Sequence, residues 1–369
     1  MSTGRAFTVI VSLVVVLAAL PTVTVLALSG APRTMVVATV LAALPVVPLV
    51  SAYLWLDRYE PEPPSLLALG LAWGAFVAVF AAVVLEGIGG VMAGLSSDQG
   101  VAFGAPVIEE AVKGAFLVAL LWWRRDELDG ILDGIVYAGM VGIGFAFTEN
   151  ILYLAAAYNG TDGIGPGGTQ ALTETFVIRC LASPFAHPLF TAFTGVGVGL
   201  AVGTRSRLGR VLLPLGGYVV AVIAHSVWNA STVYGMGGFV SVYTVLMVPV
   251  FAGVGALALW ARGSEAKVLE IALVDCAERG LLPRSDIGWI VDLRARRQAR
   301  QHARQVGGAT AEAAMREYQG AAIELGFLHY RFLRGTPPPD FTARGQAYVD
   351  RIGKVRPTIA FPGQVVLNP

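Results

Sequence analysis

Long apolar runs alternate with short polar breaks over the first 262 of the 369 residues. Runs near 7–29, 35–56, 65–86, 105–123, 131–155, 173–203, 211–231 and 239–262 can each supply the ~20 mostly apolar residues that a membrane-crossing helix needs. The pattern predicts an all-α protein, a polytopic membrane helix bundle of about eight spans. The sixth run is overlong, so part of it is expected to be an interfacial lead-in or a tilted end. The first run follows Arg5 and exceeds the ~7–15 residues of a signal-peptide core, so it reads as an uncleaved span.

From about residue 264 the period becomes that of amphipathic helices, over 264–279, 284–304 and 309–334. Gly280 with Pro283, and Gly307-Gly308, punctuate them. The predicted division is a transmembrane bundle over 1–262, a small cytoplasmic helical region over 263–335, and an extended or disordered tail over 336–369 after Pro337-Pro338-Pro339.

Composition narrows the class. Hydrophobic residues make up 55% and charged residues 14%, with mean hydropathy +0.67, which excludes an ordinary soluble domain. Residues 1–262 carry net charge −3 and residues 263–369 carry +4. A modestly basic tail suits an anionic inner leaflet but is too mixed to indicate nucleic acid. Short-loop Lys and Arg fall on one side: Arg5, Arg58, Arg124, Arg125, Arg205, Arg207 and Arg210, against Arg33 alone opposite. By the positive-inside rule both termini face the cytoplasm of a cell-membrane protein. Two cysteines, Cys180 and Cys276, offer neither a disulfide framework nor metal-ligand spacing.

Against this background the polar residues inside the spans stand out. They are Glu109-Glu110-x-x-Lys113, Glu149-Asn150, Arg179, His187 and His225-x-x-x-Asn229. A charge at mid-bilayer costs roughly 2.5–3.5 kcal/mol even on the lenient insertion scale, so such residues mark functional sites. Lys113 can reach either carboxylate, one helical turn away. His225 and Asn229 share a face, and Arg179, Ser183 and His187 form an i, i+4, i+8 stripe. With the orientation above, four helices bring these groups to one depth in the outer half of the bilayer. Asp133 is placed at the cytoplasmic entry of its span and reads as interfacial. The Gly-rich stretches 87–104 and 156–172, with Asp98, Asp162 and Glu174 nearby, read as outer loops able to admit a substrate.

Four stretches, Glu109-Glu110-Ala111-Val112-Lys113, Gly144-Phe145-Ala146-Phe147-Thr148-Glu149-Asn150, His187-Pro188-Leu189-Phe190-Thr191 and His225-Ser226-Val227-Trp228-Asn229, together resemble the PrsW family of intramembrane proteases. Tyr59-Glu60-Pro61-Glu62-Pro63 adds to the resemblance. The family lies within the wider superfamily of CAAX prenyl proteases and bacteriocin-processing enzymes. Relative to that superfamily, Lys113 stands three residues after the second Glu where Arg usually stands four after, and Glu149 replaces a usual His. The resemblance implies cleavage of a single-pass, membrane-anchored protein such as an anti-sigma factor, on its extracytoplasmic side, in stress-response signalling.

For peptide hydrolysis one assignment makes Glu109 or Glu110 the base, with Lys113 setting their ionisation. His225 and Asn229 then stabilise the oxyanion, while Glu149 and His187 position water or substrate, and Asn150 is counted with them as a candidate site residue. The rival assignment has His187, His225 and a carboxylate such as Glu149 binding Zn²⁺, with another Glu as base. The sequence carries no HExxH pattern and leaves both open, with metal-free glutamate chemistry slightly favoured. A proton-coupled transporter using the same Glu/His chain as a relay is the alternative class.

Overall fold

In the computed structural model, which describes residues 3–93, 96–128, 130–160 and 167–363, the apolar runs form helices, with breaks at 44–45 and 183–185. Asp162 of the second expected outer loop, and residues 364–369 of the tail, lie outside the described residues. In order, the helices are α1 (Thr3–Leu28), α2 (Pro32–Ala43), α3 (Val46–Leu56), α4 (Pro64–Ala72), α5 (Val79–Ala93), the one-turn α6 (Ser97–Gln99), α7 (Ala105–Trp123) and α8 (Ile131–Asn159). They continue with α9 (Gly168–Phe176), α10 (Ala186–Gly203), α11 (Gly209–Val233), α12 (Gly235–Val242), α13 (Val248–Glu278), α14 (Ile287–Val291), α15 (Leu293–Leu333) and α16 (Phe341–Val355). The chain forms two compact units, one of Met1–Asp57 with Glu62–Ala258, the other of Arg58–Pro61 with Leu259–Pro369.

Among the described residues, seven helical stretches are long and apolar enough to cross a membrane. The expected fourth span is also a helix, α7, but its Glu109, Glu110 and Lys113 make it too charged to count as purely apolar. In the first unit, 89% of the apolar window of Ile131–Asn159 is buried, against 17% for Arg5–Leu28, so α8 is central and α1 peripheral. Leu13, Leu17 and Leu20 of α1 are well exposed, forming the kind of surface that a bilayer covers.

Small residues let the central helices meet. A Cβ on Gly134 of α8 would lie 2.0 Å from the Gly195 carbonyl of α10, and one on Gly195 would lie 2.1 Å from that of Gly134. Two backbones in contact replace the bulk that would hold them apart, the usual device for helix association in lipid. Gly142 does the same beside the polar groups, where a Cβ would sit 2.7 Å from Pro188. The overlong sixth run is broken: α9 passes into a π-helical turn, Val177–Ala182, and Ser183 leaves helical geometry before α10 begins. Pro184 and Pro188 favour this break, since proline fits a first helical turn and not an interior.

At one end of the first unit, Asp57 Oδ2 accepts the Glu62 N–H at 2.9 Å and the Tyr137 hydroxyl donates to Glu62 Oε2 at 2.6 Å. Asp133, expected to be interfacial, is buried there and accepts the Gly130 N–H through Oδ2 at 3.0 Å. Burial, reinforced by the Asp133 charge, pushes Asp57 up to about 8 against the lowering effect of the Glu62 N–H, and raises Glu62 well above the usual range. A raised folded-state pKa means the folded protein binds more protons than the unfolded chain, so stability falls as pH rises from the unfolded value, 3.8, through about 8. Thermal unfolding at pH 9 is therefore expected below that at pH 6, and Asp57→Asn with Glu62→Gln should shrink the difference. An unchanged pH slope in that variant would refute the assignment.

The second unit packs α14, α15, α16 and the end of α13 around Leu269, Leu273, Ile290, Tyr318, Ile352 and Phe361. Gly280 takes φ 75 after α13, and Asp292 Oδ1 caps α15 by accepting the Ala295 N–H at 2.7 Å. At Gly307-Gly308 the α15 backbone leaves helical geometry. Two expectations are corrected. The expectation for 336–369 is an extended or disordered tail, yet its described part, 336–363, carries α16, with Ile352, Ile359 and Phe361 buried in the core. Residues 58–61 were assigned to the bundle, yet they belong to the second unit, where Arg296 Nη1 donates to the Arg58 and Tyr59 carbonyls at 3.3 and 3.0 Å.

Candidate active site

Four segments of the first unit bring their polar side chains into one connected network. Glu109, Glu110 and Lys113 lie in the first turns of α7, and Glu149 and Asn150 lie past the middle of α8. Arg179 rides on the π turn, His187 opens α10, and His225 sits on α11. A π turn widens a helix locally and recurs at functional sites; here it carries Arg179 on the α9–α10 segment.

Lys113, fully buried, uses all three of its donors: Glu109 Oε2 at 3.1 Å, Glu110 Oε1 at 2.7 Å and His187 Nδ1 at 3.1 Å. Its ammonium also lies 4.0 Å over the Phe145 ring. Because Lys113 can only donate, His187 Nδ1 carries the lone pair, and His187 Nε2–H donates to Glu149 Oε2 at 2.7 Å. His225 Nδ1–H donates to Glu110 Oε1 at 3.0 Å, which leaves the lone pair on Nε2. Arg179 Nε donates to Asn150 Oδ1 at 2.8 Å, and Arg179 Nη2 pairs with Glu149. Within the hydrogen-bonded network three carboxylates thus face two permanent cations, which leaves room for at least one more positive charge, from a proton or a metal.

Seven of the eight predicted site residues are joined in this way. Asn229 is not: its carboxamide donates to the Val101 carbonyl at 3.0 Å and makes none of the network's bonds. Sequence reasoning missed three contributors. Thr191, fully buried, donates to Glu110 Oε2 at 3.2 Å, and Phe190 stacks on the His225 ring at 4.6 Å. Glu86 interacts electrostatically with Glu149, Lys113 and Glu109. It is an acid within an apolar run, and that signal alone was enough to include it.

The donor set suits a metal. Glu109, Glu110, His187 and His225 each offer a ligand atom, all within 4.8 Å of one another. His187 Nδ1 lies 3.9 Å and His225 Nε2 4.0 Å from Glu109 Oε2, against about 3.3 Å between ligands bound about 2.05 Å from a tetrahedral zinc. Each imidazole presents its unprotonated nitrogen toward Glu109, that of His187 while also accepting from Lys113, and gives its N–H to another carboxylate, the arrangement that orients metal-bound histidines. Glu149 stands behind His187 on the Nε2 side and is outside this set. Lys113 occupies acceptors that a metal would share.

A family model described as PrsW family intramembrane metalloprotease matches residues 62–254, just over half of the chain. The chain belongs to this family. It is similar to proteins named Protease PrsW from Geobacillus kaustophilus, 34% identical over 158 residues, and from Bacillus subtilis, 30% identical over 165. Each alignment covers 42% of this chain, and 63% and 65% of the respective relative. A third, from Oceanobacillus iheyensis, is 28% identical over 43% of this chain and 63% of the relative. The chain thus spans less than two thirds of the length of the curated relatives it matches. No solved structure matches it. The PrsW match contains every residue of the polar network and ends before most of the second unit.

Proposed function

We propose that this PrsW-family chain is an intramembrane endopeptidase that hydrolyses a peptide bond of a single-pass, membrane-anchored protein at the Glu/His network. The observation that carries the reading is the Lys113-centred convergence of Glu109, Glu110 and His187, with His225 held on Glu110. Glu110 is saturated by Lys113, His225 and Thr191, so its task is to hold the imidazole and the ammonium. Glu109 makes only the Lys113 bond and keeps an oxygen free to take the proton of an attacking water. That proton passes to the leaving amide nitrogen as the carbon–nitrogen bond breaks.

A divalent metal held by His187, His225 and a carboxylate of the Glu109–Glu110 pair would polarise the scissile carbonyl and acidify the water. Asn150 keeps its amide N–H₂ free of the network and lines a cavity of about 70 Å³ shared with Arg179, His187 and Trp228. It takes the oxyanion role expected of Asn229. At that volume the cavity is large enough for water and too small for a peptide strand, so substrate entry requires the neighbouring helices to part.

Loop charges support both termini on the cytoplasmic side and the site in the outer half of the membrane, which suits an anti-sigma-factor-like regulator cut extracytoplasmically. The test is comparative membrane proteomics of wild-type cells and cells carrying Glu109→Gln with Glu110→Gln. A single-pass protein should accumulate uncut in the variant; processing at the wild-type rate removes the protease reading, and loss of solute uptake without uncut protein indicates a carrier. With purified protein, a zinc chelator is expected to stop cleavage and added zinc to restore it, whereas unaffected cleavage assigns metal-free chemistry.

A further inference from the structure

The second unit contains a cavity of about 710 Å³ within the range of small-molecule sites, and the catalytic reading does not use it. Arg58, Arg296, Arg297, Arg300, Arg304 and Arg316 line it against three glutamates, leaving a net charge of +3. Glu312 pairs with Arg304 and Arg316, and so neutralises the outer part. Among the described residues, Arg58, Arg296, Arg297 and Arg300 have no carboxylate within ion-pair distance.

Arg296 is the deepest of these, only 4% exposed. Its Nε donates to the Ile290 carbonyl and its Nη1 to those of Arg58 and Tyr59, but its Nη2 has no partner among the described residues. A buried guanidinium with an idle donor and no carboxylate in contact is costly to keep, and Asp292 and Glu265 offset its charge only from beyond ion-pair distance. Arg296, Arg300 and Arg304 also stand at i, i+4, i+8 on α15, a spacing at which like charges oppose helix formation. Arg300 satisfies only Nε, on Gln319 Oε1 at 2.6 Å, and Arg297 is exposed and unpaired beside it. Burial, then the neighbouring Arg300, pull Arg296 down to about 10 against the more distant Asp292 and Glu265.

We infer that this cleft binds a multiply charged phosphate anion, held by Arg296 from inside and by Arg297 and Arg300 at the mouth. Guanidinium forks match phosphate oxygens in pairs, and two or more phosphates would offset the surplus charge. A free polyphosphate and a phosphate-rich lipid headgroup present the same chemistry, so the test separates them.

Full-length protein in phosphatidylcholine nanodiscs is titrated with sodium tripolyphosphate at 150 mM salt. The expected result is saturable one-to-one binding, weakened at least tenfold by Arg297→Gln with Arg300→Gln. Arg284→Gln with Arg294→Gln, equal in charge but outside the lining, should leave it within twofold. In a second arm, nanodiscs containing phosphatidic acid are compared with pure phosphatidylcholine. Protection against thermal unfolding that needs the acidic lipid, and that the Arg297/Arg300 variant loses, assigns the site to a headgroup, whereas tripolyphosphate binding with no such protection from the acidic lipid assigns it to a free anion. Arg297→Gln alone, at an exposed position, serves where the double variant unfolds. No saturable binding in either arm, or equal losses in both double variants, overturns the proposal.

Discussion

Glu109→Gln is expected to lower peptide cleavage by roughly 10²–10⁴-fold, the usual loss when a general base is removed. Gln keeps an oxygen for the Lys113 donor, so Lys113, Glu110 and His187 retain their hydrogen bonds and thermal unfolding should move little. The loss should fall on kcat and leave KM nearly unchanged, because in the proposed role Glu109 meets the water and not the body of the substrate. Glu110→Gln provides the contrast. It weakens the charge that holds Lys113 at 2.7 Å and His225 at 3.0 Å, so it should lower activity and stability together. Wild-type turnover by purified Glu109→Gln would eliminate Glu109 as the proton acceptor.

Lys113→Met should destabilise the fold by about 3–5 kcal/mol, the penalty for removing one partner of a buried ion pair. Methionine fills the space but leaves Glu109, Glu110 and His187 without the donor they share. Removing the carboxylate charges as well should recover part of the loss, since the cost comes from unpaired charge and not from missing volume. Lys113→Met combined with Glu109→Gln and Glu110→Gln should accordingly unfold above Lys113→Met alone, although it will be inactive. Such non-additivity is expected for groups in direct contact. A Lys113→Met protein as stable as wild type would mean that the cluster is already neutral without the ammonium.

Legibility from sequence followed the range of each interaction. The Glu109–Lys113 and Glu110–Lys113 pairs were readable because one helical turn fixes their spacing. That same rule offered His225 and Asn229 as a pair. Yet the helix turns Asn229 toward Val101 while His225 faces Glu110. Helical phase identifies which residues share a face and says nothing about which neighbour that face meets. Thr191 was missed for the same reason, whereas Glu86 carried a readable signal as an acid within an apolar run. Helix α16 was hidden because its apolar positions are interleaved with Arg344, Asp350, Arg351 and Lys354 and follow three prolines. Its burial depends on a core assembled from α13, α14 and α15.

Taken alone, the amino-acid order determined that this is a helical membrane protein of the PrsW type, with acids and imidazoles placed where lipid would penalise them. Hydropathy and helical period are local properties, written in consecutive residues. Only the tertiary structure decided that Lys113 bridges Glu109, Glu110 and His187, that Asn229 stands outside that network, and that residues 58–61 join the second unit. Those outcomes depend on how closely glycine-lined backbones approach and on which donors and acceptors then meet, which no local pattern encodes.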